Sequence, residues 1–401
     1  MKKVLYFTFP FRSHMNVSLR IICDLMKKKI EIIVFADSEY KKEIEDAGAV
    51  FKDYEVPFPI DLNHADANLA KYGDLLVDFS YQMLRRHDTY FQNTEMDLIV
   101  HDYMCSWGRF AGQIMKIKAI SVIPAYILMP EIIMEEKDLM FRLSAQSMRY
   151  ANKLIKMGKK NKKIAKEFQI DTGAVGEVLL NKEYLNIVTA HRPLQGGIKY
   201  LDDSYVFVGN VNLQREEKTD GFPWELLKQR KVIYISFGTM YRLEYEKFQF
   251  FFQCFGNTDY MVVFSVGKGV SMEALGEIPK NFIIRQSVPQ LEVLKHASVY
   301  ISQGGFNSVH EAIFLKVPML LIPQTYEQRY IARRCSRLSC ARVWEKGRKD
   351  IEKFRQMIEE LITSSTVKTY LQKISDEMNL NAGQEAAEQI CKELNIPDTS
   401  V

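Results

Sequence analysis

Residues 299–316 constrain the fold of this chain more than any other stretch. An apolar run, Val299-Tyr300-Ile301, leads into Gln303-Gly304-Gly305-Phe306-Asn307-Ser308, and a helical pattern occupies residues 309–316. The pattern predicts a strand, a glycine turn and the start of a helix, with Asn307 or Ser308 as its cap. Glycine is the default residue for left-handed backbone, so the turn alone also suits any tight strand-to-helix connection. A helix start leaves backbone N–H groups unpaired at the positive end of its dipole, and such a place favours a phosphate. Glu311 follows within the first turns, in reach of a ribose hydroxyl.

The remainder of the chain supplies the frame such a turn needs. Short runs rich in Val, Ile and aromatics at 4–9, 30–36, 49–54, 97–101 and 119–123 alternate with helical patterns at 17–29, 39–47, 68–91 and 106–115. A second series covers 231–237, 260–266, 282–284, 299–302 and 319–322. This alternation predicts crossover units and parallel sheets, and 401 residues suffice for two domains. Gly209, Asn210, the charged run Arg215-Glu216-Glu217-Lys218 and Gly221 interrupt the pattern, which places a linker at 208–220. In open α/β sheets ligands gather at the carboxyl ends of strands, and the loops after Phe9 and after Ser302 lie at such ends.

Composition excludes several classes. A formal net charge of +4 is too small for a nucleic-acid binder, and no helix-turn-helix or zinc-finger spacing occurs. The six cysteines are scattered with no CxxC pair, which leads us to expect reduced thiols and a cytoplasmic protein. Lys2-Lys3 followed by an apolar run has the outline of a signal peptide. No small-residue cleavage site follows and Arg12 comes early, so a first strand is expected instead. No apolar stretch reaches the ~18–20 residues of a membrane span.

Val288-Pro289-Gln290 precedes the glycine turn and Glu327-Gln328 follows it. Over 285–328 the chain thereby resembles the family 1 glycosyltransferases of the UDP-glycosyltransferase superfamily, particularly the bacterial macrolide-glycosyltransferase-like branch. Their nucleotide-sugar signature runs as a VPQ-type segment, an HGGxNS-type turn, a glutamate and PQxxEQ. The resemblance implies an α/β fold of the GT-B type, two Rossmann-like parallel-sheet domains facing across a cleft. An acceptor domain would cover 1–210 and a nucleotide-sugar domain 221–381, with a C-terminal helix in 382–401 packing back on the first. It implies donor contacts from Val288, Gln290, Gln303, Gly304, Gly305, Asn307, Ser308, Glu311, Glu327 and Gln328. Gly238-Thr239 resembles the family's phosphate-contacting S-x-G-[ST] element, although a plain strand-to-helix turn reads the same. Glu327 also suits a helix amino terminus on dipole grounds alone. The co-substrate implied is a UDP- or TDP-sugar, with no cofactor and no metal.

The first strand leads into Phe9-Pro10-Phe11-Arg12-Ser13-His14-Met15-Asn16. A histidine on a loop after a strand suits general-base work near neutral pH, and equally suits a surface or capping role. The family carries a GHxNP-type motif here, whose histidine deprotonates the acceptor; His14 and Asn16 are kept, while Ser13 and Val17 replace glycine and proline. Asp102 stands at the family position whose carboxylate orients that histidine and stabilises its cation, and alone it reads as a cap for the helix at 106–115. His101 should face the other way by strand alternation. The implied reaction is an inverting displacement, with His14 activating an acceptor hydroxyl and the diphosphate leaving toward the backbone of 304–308.

Two positions depart from the family. Gln303 replaces a histidine that donates to the donor's phosphate, and a neutral amide in its place weakens that contact by ~1–2 kcal/mol. Ser287 stands where plant and some bacterial relatives stack an aromatic on the base. Lys153, Lys156, Lys159, Lys160, Lys162 and Lys163 fill 149–166 without an acid, as a solvated helix face or as a peripheral contact with anionic lipid. The expected partners are therefore a nucleotide sugar and a small, largely apolar acceptor, whose pocket is built from loops at 57–68 and 123–138. A lipid-acceptor transferase and a catalytically silent sugar-nucleotide-binding partner remain as alternatives, and neither oligomeric state nor the donor's sugar and base is readable.

Overall fold

The computed structural model describes residues 1–59, 69–135, 140–141, 151–174, 180–238, 245–267, 270–345 and 350–396. The chain divides into two compact units, the first running to Asn212 and resuming at Asn379, the second covering Leu213–Met378. The stretch read as a linker, 208–220, is thus no free connection: its two halves belong to the two units.

Among the described residues the first unit holds a seven-stranded sheet: β1 (Lys3–Phe7), β2 (Glu31–Ala36), β3 (Val50–Asp53), β4 (Leu98–Asp102), β5 (Ala119–Ile123), β6 (Asn186–Val188) and β7 (Tyr205–Phe207). Its order is β3-β2-β1-β4-β5-β6-β7, with every neighbouring pair parallel. The accompanying helices are α1 (Arg12–Met26), α2 (Lys41–Asp46), α3 (Leu69–Asn93), α4 (Ser106–Met115), α5 (Pro130–Glu135) and α6 (Ala151–Phe168).

The second unit holds a six-stranded parallel sheet in the order β10-β9-β8-β11-β12-β13, from β8 (Val232–Ser236), β9 (Met261–Ser265), β10 (Phe282–Arg285), β11 (Ala297–Ser302), β12 (Met319–Leu321) and β13 (Ala341–Val343). Its helices are α7 (Tyr245–Phe255), α8 (Gln290–His296), α9 (Phe306–Phe314), α10 (Tyr326–Arg337), α11 (Ile351–Thr363) and α12 (Ser365–Asp376). Helix α13 (Ala382–Glu393) closes the chain in the first unit, against α1. These are the two Rossmann-like parallel sheets of a GT-B fold. No helix among the described residues is long and apolar enough to cross a membrane.

Strands β4, β5 and β8 are buried along their whole length, which is why they read as unbroken apolar runs. Side chains of β1 alternate between two cores. Val4 and Tyr6 join α1 and α13 on one face, and Leu5 and Phe7 join α3, α4 and α6 on the other. Strands β6, β7 and β13 have three residues each and escaped the pattern because so short a run carries no period. Strand order reverses between β1 and β4 in the first sheet and between β8 and β11 in the second. Those are the places where an α/β sheet leaves room for a ligand.

Helix α13 is held by Ala382, Ala386, Ala387, Ile390, Cys391 and Leu394, all buried in the α1 core. Gly383 permits the approach, since a Cβ there would lie 2.5 Å from Asp24 Oδ2. Truncating Ile390, which is fully buried, to alanine should destabilise the first unit by about 3 kcal/mol. Hydrogen exchange should show protection falling in β1, α1 and α13 and unchanged in β8–β13.

Candidate active site

Two groups of residues stand at the two points of strand reversal. In the first unit the chain leaves β1 through Thr8-Phe9-Pro10-Phe11 and enters α1 at Arg12. His14 is therefore part of the first helical turn, not of a loop ahead of a helix at 17. Nothing after Pro10 interrupts the helix, and the N–H groups of His14 and Met15 both donate to Phe11 O, each at 2.9 Å. His14 Nδ1 lies 2.7 Å from Asp102 Oδ2, and the two residues are 8% and 1% exposed. Asp102 does not cap α4, whose N-cap is Cys105. Its other oxygen accepts from the N–H of Met104 at 2.9 Å, so both oxygens of this buried carboxylate are satisfied.

A carboxylate only accepts, so Nδ1 of the neutral ring carries the proton and Nε2 presents a lone pair. Nε2 has no hydrogen-bond partner among the described residues. Aromatic rings surround the imidazole: Phe9 at 5.3 Å, Phe11 at 6.0 Å edge-on, and Tyr103 at 5.9 Å nearly parallel. His101 is fully buried, with Nδ1 donating to Asp102 O at 2.9 Å and Nε2 3.2 Å from Glu183 Oε1.

In the second unit β8 and β11 pair with Ser236 opposite Ser302, and each is followed by a glycine in left-handed backbone, Gly238 at φ +71° and Gly304 at φ +85°. Thr239 lies outside the described residues. Helix α9 starts at Phe306 with Gly305 as N-cap and no side-chain cap. Asn307 and Ser308 are first-turn residues and not the caps their sequence suggested. A glycine cap leaves the positive end of the helix open to an anion. Gln303 projects over Gly238, where a Cβ would lie 2.5 Å from Gln303 Nε2, so glycine at 238 makes room for that side chain.

Glu311 is 2% exposed and engaged on both oxygens. Oε1 accepts from Arg215 Nη1 at 2.5 Å, and Oε2 from Gln290 Nε2 at 2.6 Å. Burial raises its pKa against the opposing pull of Arg215 and Gln290. Gln290 Oε1 accepts from the hydroxyl of Tyr234 at 3.0 Å, and Gln290 Nε2 also reaches Ser308 Oγ at 3.3 Å. Glu217 joins the network, accepting from Arg215 at 2.7 Å and from the N–H of Leu291 at 2.7 Å. Gln328 forms a capping box with Thr325 at the start of α10, its Oε1 accepting from the N–H groups of Gln324 and Thr325. Glu327 lies beside it in the same first turn. Val288 borders a cavity of about 410 Å³ that Glu217, Phe222, Arg285 and Ser287 also line.

Of the lysines in 149–166, Lys160 turns inward to Asp74 (2.7 Å) and Asp78 (2.6 Å), and Lys163 lies 4.3 Å over the Tyr81 ring. Lys156, Lys159 and Lys162 are exposed and make no ion pair among the described residues. Arg149 and residues 60–68 and 136–138 of the acceptor loops lie outside the described residues.

Comparison with known proteins bears on the family and the fold. The family model of UDP-glucoronosyl and UDP-glucosyl transferases matches residues 199–393. The UDP-glucosyltransferase YojK of Bacillus subtilis is 25% identical, over 96% of both chains. The NDP-glycosyltransferase YjiC of the same organism is 26% identical over 94% of this chain and 93% of its own. Residues 199–393 thus carry the domain of the UDP-glycosyltransferase family. The chain is a glycosyltransferase, in the macrolide-glycosyltransferase-like branch; the oleandomycin glycosyltransferase of Streptomyces antibioticus is 27% identical over 48% of this chain and 45% of its own. Among solved structures, the kitacinnamycin glycotransferase superposes with a TM-score of 0.81 at 21% identity, covering 98% of this chain and 99% of its own. The glycosyltransferase VinC in complex with dTDP gives 0.70 at 15% identity, with the same coverage.

The hydroxyl of Tyr300 also reaches Gln290 Oε1, at 3.4 Å. Sequence reasoning did not single out Arg215, Glu217, Tyr234 or Tyr300 in this glycosyltransferase. The first two lie in a charged run that reads as a linker, and the tyrosines in strands that read as core. The only local signal was an arginine in a stretch assigned no secondary structure. The tautomer of His14 is open to direct measurement: ¹⁵N chemical shifts should show a proton on Nδ1 in the native protein and a mixture of tautomers in Asp102→Ala.

Proposed function

We propose that this glycosyltransferase is inverting, moving a hexose from a nucleoside diphosphate sugar, UDP in the first instance, to a hydroxyl of a small, largely apolar natural product. One observation carries the reading: a buried carboxylate holds His14 by Nδ1 and leaves Nε2 for an acceptor hydroxyl, at the reversal point of a parallel sheet. In the reaction Nε2 takes the hydroxyl proton as the oxygen attacks the anomeric carbon. The bond from that carbon to the β-phosphate oxygen breaks with inversion, and the nucleoside diphosphate leaves with the electron pair. Asp102 stabilises the imidazolium that forms.

Charge on the departing diphosphate is assigned to the first turn of α9 behind Gly304-Gly305, to the turn at Gly238 and to the Gln303 amide. Val288, Gln290 and Glu311 are assigned to the nucleoside, and Glu327 and Gln328 to sugar hydroxyls; Oε1 of Gln328 is taken by its capping box, which leaves Nε2 as the donor. No step calls for a metal. The aromatic surroundings of His14 favour an apolar acceptor, and the name of the oleandomycin glycosyltransferase points the same way.

His14→Ala should lower kcat by about three orders of magnitude while UDP affinity stays within roughly twofold, measured with UDP- and TDP-sugars against phenolic and macrolide acceptors by product mass. Turnover near the native rate would eliminate the general-base assignment.

A further inference from the structure

We infer that Phe222 supplies the aromatic surface against which the donor's base stacks, so that residues 215–222 form part of the nucleoside site. The inference rests on the nucleotide-sugar reading above and names a specificity residue within it. Residue 287, just before Val288-Pro289-Gln290, is a serine and offers no ring. In its place is open space, the cavity of about 410 Å³ that Ser287 and Val288 share with Phe222 and Glu217. That volume lies in the range of small-molecule sites.

Two contacts fix the segment beside the residues assigned to the nucleoside, and a third links those residues to each other. Arg215 grips Glu311 at 2.5 Å, Glu217 accepts from the N–H of Leu291 in the first turn of α8, and Glu311 in turn holds Gln290. Further on, the Phe222 ring packs on Trp224 with centroids 4.4 Å apart. Trp224 is itself anchored, its Nε1 donating to Thr219 O at 3.2 Å and its ring lying 5.8 Å from His296 at the end of α8. Phe222 is thus a half-buried ring braced from behind, with its remaining surface on the cavity. Lys218, Arg285 and Glu217 add donors and acceptors along the same wall, suited to the edge of a base. Among the described residues that line the cavity, the Arg285 guanidinium is the planar cation that could stack in its place, and the test includes it.

The experiment compares UDP with its 5,6-dihydro form, which keeps the hydrogen-bonding edge of uracil and loses the aromatic face; the thymine pair is run alongside. Calorimetry on the native protein should show the aromatic nucleotide binding about tenfold more tightly. Phe222→Leu, which preserves bulk, should abolish that preference, and Phe222→Trp should keep it. An unchanged preference in Phe222→Leu would overturn the inference, as would its loss in Arg285→Ala but not in Phe222→Leu. If the native protein binds neither UDP nor TDP, the nucleotide-sugar reading itself fails. If it binds them and Phe222→Leu discriminates normally, only the stacking assignment does.

Discussion

In the first sheet β1 and β4 are hydrogen-bonded side by side, yet the helices that follow them pack on opposite faces, α1 in the core with α13 and α4 in the core with α3 and α6. Crossover connections between parallel strands are right-handed, so this divergence arises wherever strand order reverses. It keeps the carboxyl ends of the central strands clear of crossing chain. Phe7 and His101 are register partners. A short turn and one helical turn beyond the first, and a single residue beyond the second, bring His14 and Asp102 into contact. The same reversal in the second sheet sets Ser236 opposite Ser302 and so places the turn at Gly238 against Gln303. Side chains far apart in sequence meet because strand register is specified over the whole buried sheet, where a slip of one residue would turn each side chain to the wrong face.

Two buried carboxylates mark these places, and they are compensated differently. Asp102 is met by one backbone N–H and one imidazole, and the imidazole keeps a nitrogen for other work. Glu311 is met by a guanidinium and an amide, a closed network that also includes Glu217 and the tyrosine hydroxyls. Removing one partner of such a buried pair costs about 3–5 kcal/mol, because the remaining charge is left uncompensated. The Arg215–Glu311 pair therefore ties residues 213–217 firmly into the second unit. The His14–Asp102 pair holds one ring in one orientation.

Much of the architecture was legible in the sequence because parallel strands buried on both faces advertise themselves as apolar runs, as at 98–100 and 232–235. Strands β6, β7 and β13 were not, since the pairing that defines them is a property of the sheet and not of the segment. Helix α1 starts earlier than the pattern predicts: the N–H groups of His14 and Met15 already donate to Phe11 O, so His14 is helical and not in a loop. The cap of α9 was misread for a related reason. Asn307 and Ser308 are good caps by type, but Gly304 turns the chain early enough that Gly305 takes the position. The pairing of Arg215 was not legible, because its partner Glu311 lies 96 residues away and local composition shows only a charged run.

Gln303 shows how such a site absorbs a change of residue. Its side chain lies over Gly238, and any side chain at 238 would force it aside. Oε1 is shielded and has no hydrogen-bond partner among the described residues, a loss of about 1–3 kcal/mol for a buried acceptor. An amide carries a donor and an acceptor and exchanges them by half a turn about its last torsion. The Gln303 amide therefore has the capacity to accept from a hydroxyl as well as to donate to an oxyanion. The unsatisfied oxygen would be met by any group that brings a proton donor to that spot.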